Sequence, residues 1–90
     1  MEVSRARQAI FEALKTATPH EFNDELRRSF LTEGLNLNLA DLDMDSLARM
    51  EFCIAIEIST DVTLLPSQLA ELVSTDAIER HLGQALGDRR

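Results

Sequence analysis

Three observations predict an all-α domain. Apolar residues recur at three- and four-residue steps over several stretches, and the 90 residues hold four Phe with no Trp or Tyr, and only three Gly and two Pro. The one stretch that alternates with period two, LNLNLADL, has no second strand to pair with. Ninety residues suffice for one domain with one modest core, so residues 1–90 read as a single unit whose packed part spans about 3–86. The expected architecture is a four-helix bundle of three main helices and one short helix, with a long first loop.

The first helix is expected from Val3 to about Ala17, where Val3, Ala6, Ile10, Leu14 and Ala17 fall on one side and Arg5, Gln8, Glu12 and Lys15 elsewhere. Thr18-Pro19 should end it, because the residue before proline avoids helical dihedrals. Residues 19–41 read as a connection in which HEFNDELRRSF has the spacing of a short helix, with Phe22, Leu26 and Phe30 directed at the core. Gly34 is a stop signal, and an extended loop pinned by Leu35, Leu37 and Leu39 follows.

Asp45 is a good N-cap for the helix SLARMEFCIAIEIST, expected from Ser46 to about Ser59. At about 100° per residue, Phe52 and Ile56 lie on one side. Leu47, Ile54 and Ile58 lie nearly opposite with Glu51 among them, and Met50 and Cys53 fall between. One stripe can face the core, which leaves the other for a ligand or partner. Leu65-Pro66-Ser67 opens a short helix, SQLAELV, and Asp76 with Glu79 resembles a capping box opening the last helix, AIERHLGQAL. The tail GDRR should fray.

Sixteen acidic against nine basic side chains give a formal charge of -7, which repels nucleic-acid phosphates and anionic lipid. No apolar stretch approaches the length of a membrane span, and MEVSRARQAI lacks the apolar block of a secretory signal, so a cytoplasmic monomer is expected. The lone Cys53 has apolar neighbours and reads as a small buried side chain. His20 and His81 stand apart from each other and from Cys53, and neither metal-ligand nor triad spacing occurs.

The informative segment is DLDMDSL, residues 41–47, which sets the Ser46 hydroxyl at a helix start among Asp41, Asp43 and Asp45. No His or Lys is near in sequence to take its proton, so Ser46 is not a catalytic nucleophile by itself. It remains a candidate substrate hydroxyl for another enzyme, exposed beside backbone N–H groups that favour an attached phosphate.

DLDMDSL resembles the D-x-D-S-L attachment motif of acyl and peptidyl carrier proteins, and the order of helices around it resembles that family over most of residues 3–86, least from 19 to 35. The resemblance implies a non-catalytic carrier. A phosphopantetheinyl transferase, with Mg²⁺ of its own complex, would move 4'-phosphopantetheine from coenzyme A onto Ser46, with Asp45 and Leu47 as motif flanks. Acyl, aminoacyl or peptidyl thioesters on that arm would meet loading enzymes and synthases on a second-helix face of Leu47, Glu51, Ile54, Glu57 and Ile58. Ala48, and Ile58-Ser59-Thr60 after Glu57, depart from the more acidic pattern of fatty-acid carriers, and Arg49 adds a positive charge. Those departures point to polyketide, nonribosomal peptide or specialised lipid biosynthesis ahead of housekeeping fatty-acid synthesis.

Each residue also has a plainer reading. Ser46 can be an ordinary helix-start residue, Leu47 and Ile54 core residues, and Glu51 and Glu57 a solvated face. Asp41, Asp43 and Asp45 match the first ligand positions of a calcium loop, but Ser46 stands where that loop needs glycine and Phe52 where it needs glutamate. An unmodified helical interaction module, with Ser46 silent, is the alternative of a different class.

Overall fold

The computed structural model describes residues 4–87. Their architecture is all-α: helices α1 (Arg5–Ala17), α2 (Asp24–Thr32), α3 (Ser46–Thr60), α4 (Pro66–Leu72) and α5 (Thr75–Gly87), with a 3₁₀ turn at Leu39–Leu42. Val3 of the expected first stripe and Asp88–Arg90 of the expected fraying tail lie outside the described residues.

Ser4 caps α1 by accepting the Arg7 N–H at 3.0 Å, and Thr18 closes it, as the following proline requires. The segment between α1 and the 3₁₀ turn holds a full helix, so the described residues form five helices where the sequence suggested four. Asn23 caps α2 through the Leu26 N–H at 3.0 Å, and Asp24 and Glu25 suit the positive end of its dipole. Phe22 and Phe30 are fully buried and meet edge to face at 5.7 Å, with Phe11 of α1 5.6 Å from Phe22. That aromatic cluster fastens α2 to α1. Gly34 then takes φ 68°, a left-handed conformation that suits glycine.

The alternating stretch after Gly34 finds a partner that no strand pattern announced. Asn38 forms an isolated antiparallel bridge with Ser74 at the α4–α5 junction. Thr75 donates its N–H to Leu37 O, and Leu39 donates to Val73 O, both at 2.8 Å. Leu39 is buried and Leu35 and Leu37 half-buried, so the loop is pinned as its leucines suggested.

Helix α1 packs along α3 and also against α5, and the core is built from Ile10 and Leu14, Phe52 and Ile56, and Ile78 and Leu82. Pro66 occupies the first turn of α4, where its missing N–H costs nothing, and Gln68 reaches back to accept the Leu65 N–H at 2.8 Å. The last helix starts earlier than the Asp76 capping box implied. Ser74 Oγ accepts the Ala77 N–H at 3.3 Å, and the Asn36 side chain accepts the Asp76 N–H at 3.0 Å. Those two acceptors cap α5, and Glu79 is released to bond Arg7 at 2.9 Å and the Ser4 hydroxyl at 2.9 Å.

Arg7 is buried at the edge of this core. Its guanidinium donates to Glu79, to Phe30 O at 2.9 Å and to Leu35 O, and lies 3.8 Å over the Phe30 ring. One side chain thus ties α1 to the end of α2, the following loop and α5.

Candidate functional site

The segment around Ser46 is held from below and open above. Leu42 and Met44 are buried, while Asp41, Asp43, Asp45 and Ser46 are exposed. Asp43 supplies the reversal by adopting the left-handed conformation, φ 50°, which a short polar side chain tolerates. Asp45 has extended dihedrals and accepts the Ala48 N–H at 2.8 Å, so it is the N-cap that its sequence position indicated.

Ser46 is therefore the first residue of α3. Its N–H and that of Leu47 have no acceptor within the helix, and its hydroxyl makes no hydrogen bond among the described residues. The site presents an unencumbered hydroxyl beside the positive end of a helix dipole. The aspartates do not converge as calcium-loop ligands do: among the described residues no group of three or more His, Cys, Asp or Glu side chains is placed to hold a metal ion.

Packing resolves the rotation of α3. Phe52 and Ile56 are fully buried and Cys53 nearly so, while Leu47, Met50, Ile54 and Ile58 are 63%, 52%, 53% and 81% exposed. Met50, which the wheel left between faces, joins the outer stripe, and Cys53 joins the core. Burial raises the Cys53 thiol above its ordinary pKa, so it stays a protonated apolar filler. Glu51 and Glu57 lie on opposite edges of the stripe at about 100° per residue, and neither carboxylate has an ion-pair or hydrogen-bond partner among the described residues. The five side chains named as a partner surface are thus on one exposed face.

Arg49 behaves differently. It is half-buried on the other side of α3 and turns back to donate to Met44 O at 3.2 Å, so its charge supports the Ser46 loop and is absent from the outer stripe.

Concavities border the stripe. A groove of about 390 Å³ runs between α1 and α3, lined by Glu12 and Thr16 on one bank and Glu51, Ile54, Ala55, Ile58 and Ser59 on the other. A smaller polar cleft of about 200 Å³, between the end of α1 and the start of α3, gathers the carboxyl groups of Glu21, Asp43, Asp45 and Glu51. Glu12, Thr16 and Glu21 were not apparent from sequence, because they reach the α3 face only through the α1–α3 packing. His20 is exposed and His81 half-buried. No helix among the described residues is long and apolar enough to cross a membrane.

Comparison with family models, with curated proteins and with solved structures gave no match.

Proposed function

We propose that this chain is a carrier protein that holds acyl, aminoacyl or peptidyl groups as thioesters on a 4'-phosphopantetheine arm attached to Ser46. The observation that carries the reading is the Ser46 hydroxyl itself: exposed, unbonded, at the first turn of a helix capped by Asp45, within DLDMDSL. Ser46 Oγ attacks the phosphorus that bears pantetheine in coenzyme A, the bond to the neighbouring pyrophosphate oxygen breaks so that adenosine 3',5'-bisphosphate leaves, and the hydroxyl proton passes to the transferase. With no His or Lys placed beside Ser46 in sequence, the chain is the substrate of this reaction and not its catalyst. The acidic cleft at the start of α3, lined by Asp43, Asp45 and Glu51, supports docking of a basic transferase surface, since opposite charge speeds encounter.

The test is intact mass after incubation with coenzyme A, Mg²⁺ and a broad-specificity phosphopantetheinyl transferase. One phosphopantetheine per chain is expected, and none on Ser46→Ala. Attachment elsewhere, or none with several transferases, removes the carrier reading and leaves the unmodified interaction module, which the same apolar stripe supports.

A specialised biosynthetic pathway is the favoured setting, with housekeeping fatty-acid synthesis second. Ala48, and the exposed Ile58 where fatty-acid carriers are more acidic, weaken attraction to strongly basic enzymes and enlarge apolar contact. Loading by a housekeeping malonyl transferase at low salt should be slower than for an acidic-type carrier and should recover in Ala48→Asp with Ile58→Glu. Equal initial rates would refute the assignment.

A further inference from the structure

We propose that the groove between α1 and α3 is a docking slot for an amphipathic helix of a partner protein, one that carries an apolar ridge between rows of Arg or Lys. The floor and ridge are apolar. Ala55 is half-buried, and Ile54 and Ile58 stand out above it, shared with a second depression of about 310 Å³ that is bordered by Glu57 and Asp61. Ile54 and Ile58 therefore form a ridge with a hollow on each side, the complement of side chains on successive helical turns.

The charges choose the occupant. Glu12 and Glu51 border the first hollow and Glu57 and Asp61 the second, so each hollow is bordered by carboxylates. Lys15 lies 3.6 Å from Glu12 and offsets that one; no described cation pairs with Glu51 or Glu57. A second copy of this chain would set these carboxylates against their equivalents across a symmetric interface, with -7 on each partner. An anionic lipid surface meets the same repulsion. A helix with cationic rows gains from both edges, and its apolar ridge covers side chains that now face water.

The proposal deepens the carrier reading by giving the partner's chemistry and by adding α1 to the docking face. Its test is made on the Ser46→Ala chain, without arm or cargo, so that it fails or succeeds separately from phosphopantetheine attachment, which mass reads on the unaltered chain. The probes are two synthetic helical peptides with the same leucine ridge, one flanked by Arg rows and one by Glu rows. Affinity is measured by fluorescence anisotropy at low salt, and binding is mapped by amide chemical shifts.

The Arg peptide should bind at least tenfold tighter than the Glu peptide and shift Glu12, Thr16, Ile54, Ala55 and Ile58. Ile58→Arg should weaken it at least tenfold, and so should Thr16→Arg on the α1 bank; both side chains are exposed, so neither change disturbs the core. Equal affinity for the two peptides, shifts confined to other faces, or indifference to Thr16→Arg would overturn the slot. A concentration-dependent dimer that Ile58→Glu abolishes would make a second copy the occupant and overturn it as well.

Discussion

Replacing Arg7 by Met isolates what the buried guanidinium does, since the methionine stem keeps most of the packing over Phe30 and removes every donor. Two backbone acceptors lose their partner: Phe30 O, in a buried hydrogen bond, and Leu35 O, in a partly buried one. Leaving a buried acceptor unpaired costs about 1–3 kcal/mol, less where water can reach it, so the pair is assigned about 2–3 kcal/mol. Glu79 and Asp76 retain 30% and 49% exposure, so losing those ion pairs adds only about 0–1 kcal/mol. Loss of the cation stacked on Phe30 adds about 0.5–1 kcal/mol. The sum, about 2.5–5 kcal/mol, is a large share of the roughly 5–14 kcal/mol expected for a domain of 90 residues.

In urea unfolding, with a slope of about 1 kcal/mol/M, the midpoint should fall by roughly 2.5–5 M with the slope unchanged. Arg7→Lys keeps the charge but cannot reach two carbonyls and Glu79 at once, and should lose about half as much. Glu79→Gln should cost less than about 1 kcal/mol, because its carboxylate stays partly hydrated. A loss below about 1 kcal/mol in Arg7→Met would show that water satisfies both carbonyls, and that Arg7 is not what joins α1, α2 and α5.

Three smaller perturbations probe single features. Val73 ends α4 at φ 52°, a strained conformation for a β-branched residue, although only its backbone carbonyl serves the bridge to Leu39; Val73→Asn should raise stability by about 1 kcal/mol, and an unchanged urea midpoint would mean that the strain is absent. Asp45→Ala should cost about 1 kcal/mol through the lost cap, whereas Asp45→Asn keeps the cap and removes the charge, so phosphopantetheine attachment slowed in Asp45→Asn as much as in Asp45→Ala would assign the charge to transferase recognition. Burial holds the Cys53 thiol protonated above its ordinary pKa. Below about pH 8.5 it is protonated in both states, and as pH rises further the unfolded chain ionises first; stability should therefore decline with pH, and a slope equal to that of Cys53→Ala would show that the thiol is not desolvated.

Signals that depend on near neighbours were legible in the sequence: the stop at Thr18-Pro19, the Asp45 cap that puts Ser46 at the head of α3, and the start of α4 at Pro66. Each follows from dihedral limits or from a side chain within three residues, which chain order specifies. The wheel of α3 likewise separated Phe52 and Ile56 from Leu47, Ile54 and Ile58. It could not say which stripe faces inward, because both are apolar; packing against α1 chose, burying Cys53 and exposing Met50. The start of α5 was misplaced because Asn36, far off in sequence, accepts the Asp76 N–H that Glu79 would accept in a capping box.

Arg7 shows the same limit from the other side. In the sequence it is one more charged residue on a surface helix, while its partners lie at Phe30, Leu35 and Glu79. The groove beside Ile54 depends in turn on Glu12 and Thr16 being carried across from α1. Chain order specified the helices and the exposed serine because capping and periodicity are local. The acidic groove, the buried arginine and the outward stripe had to await the fold, since burial is a property of what the rest of the chain covers.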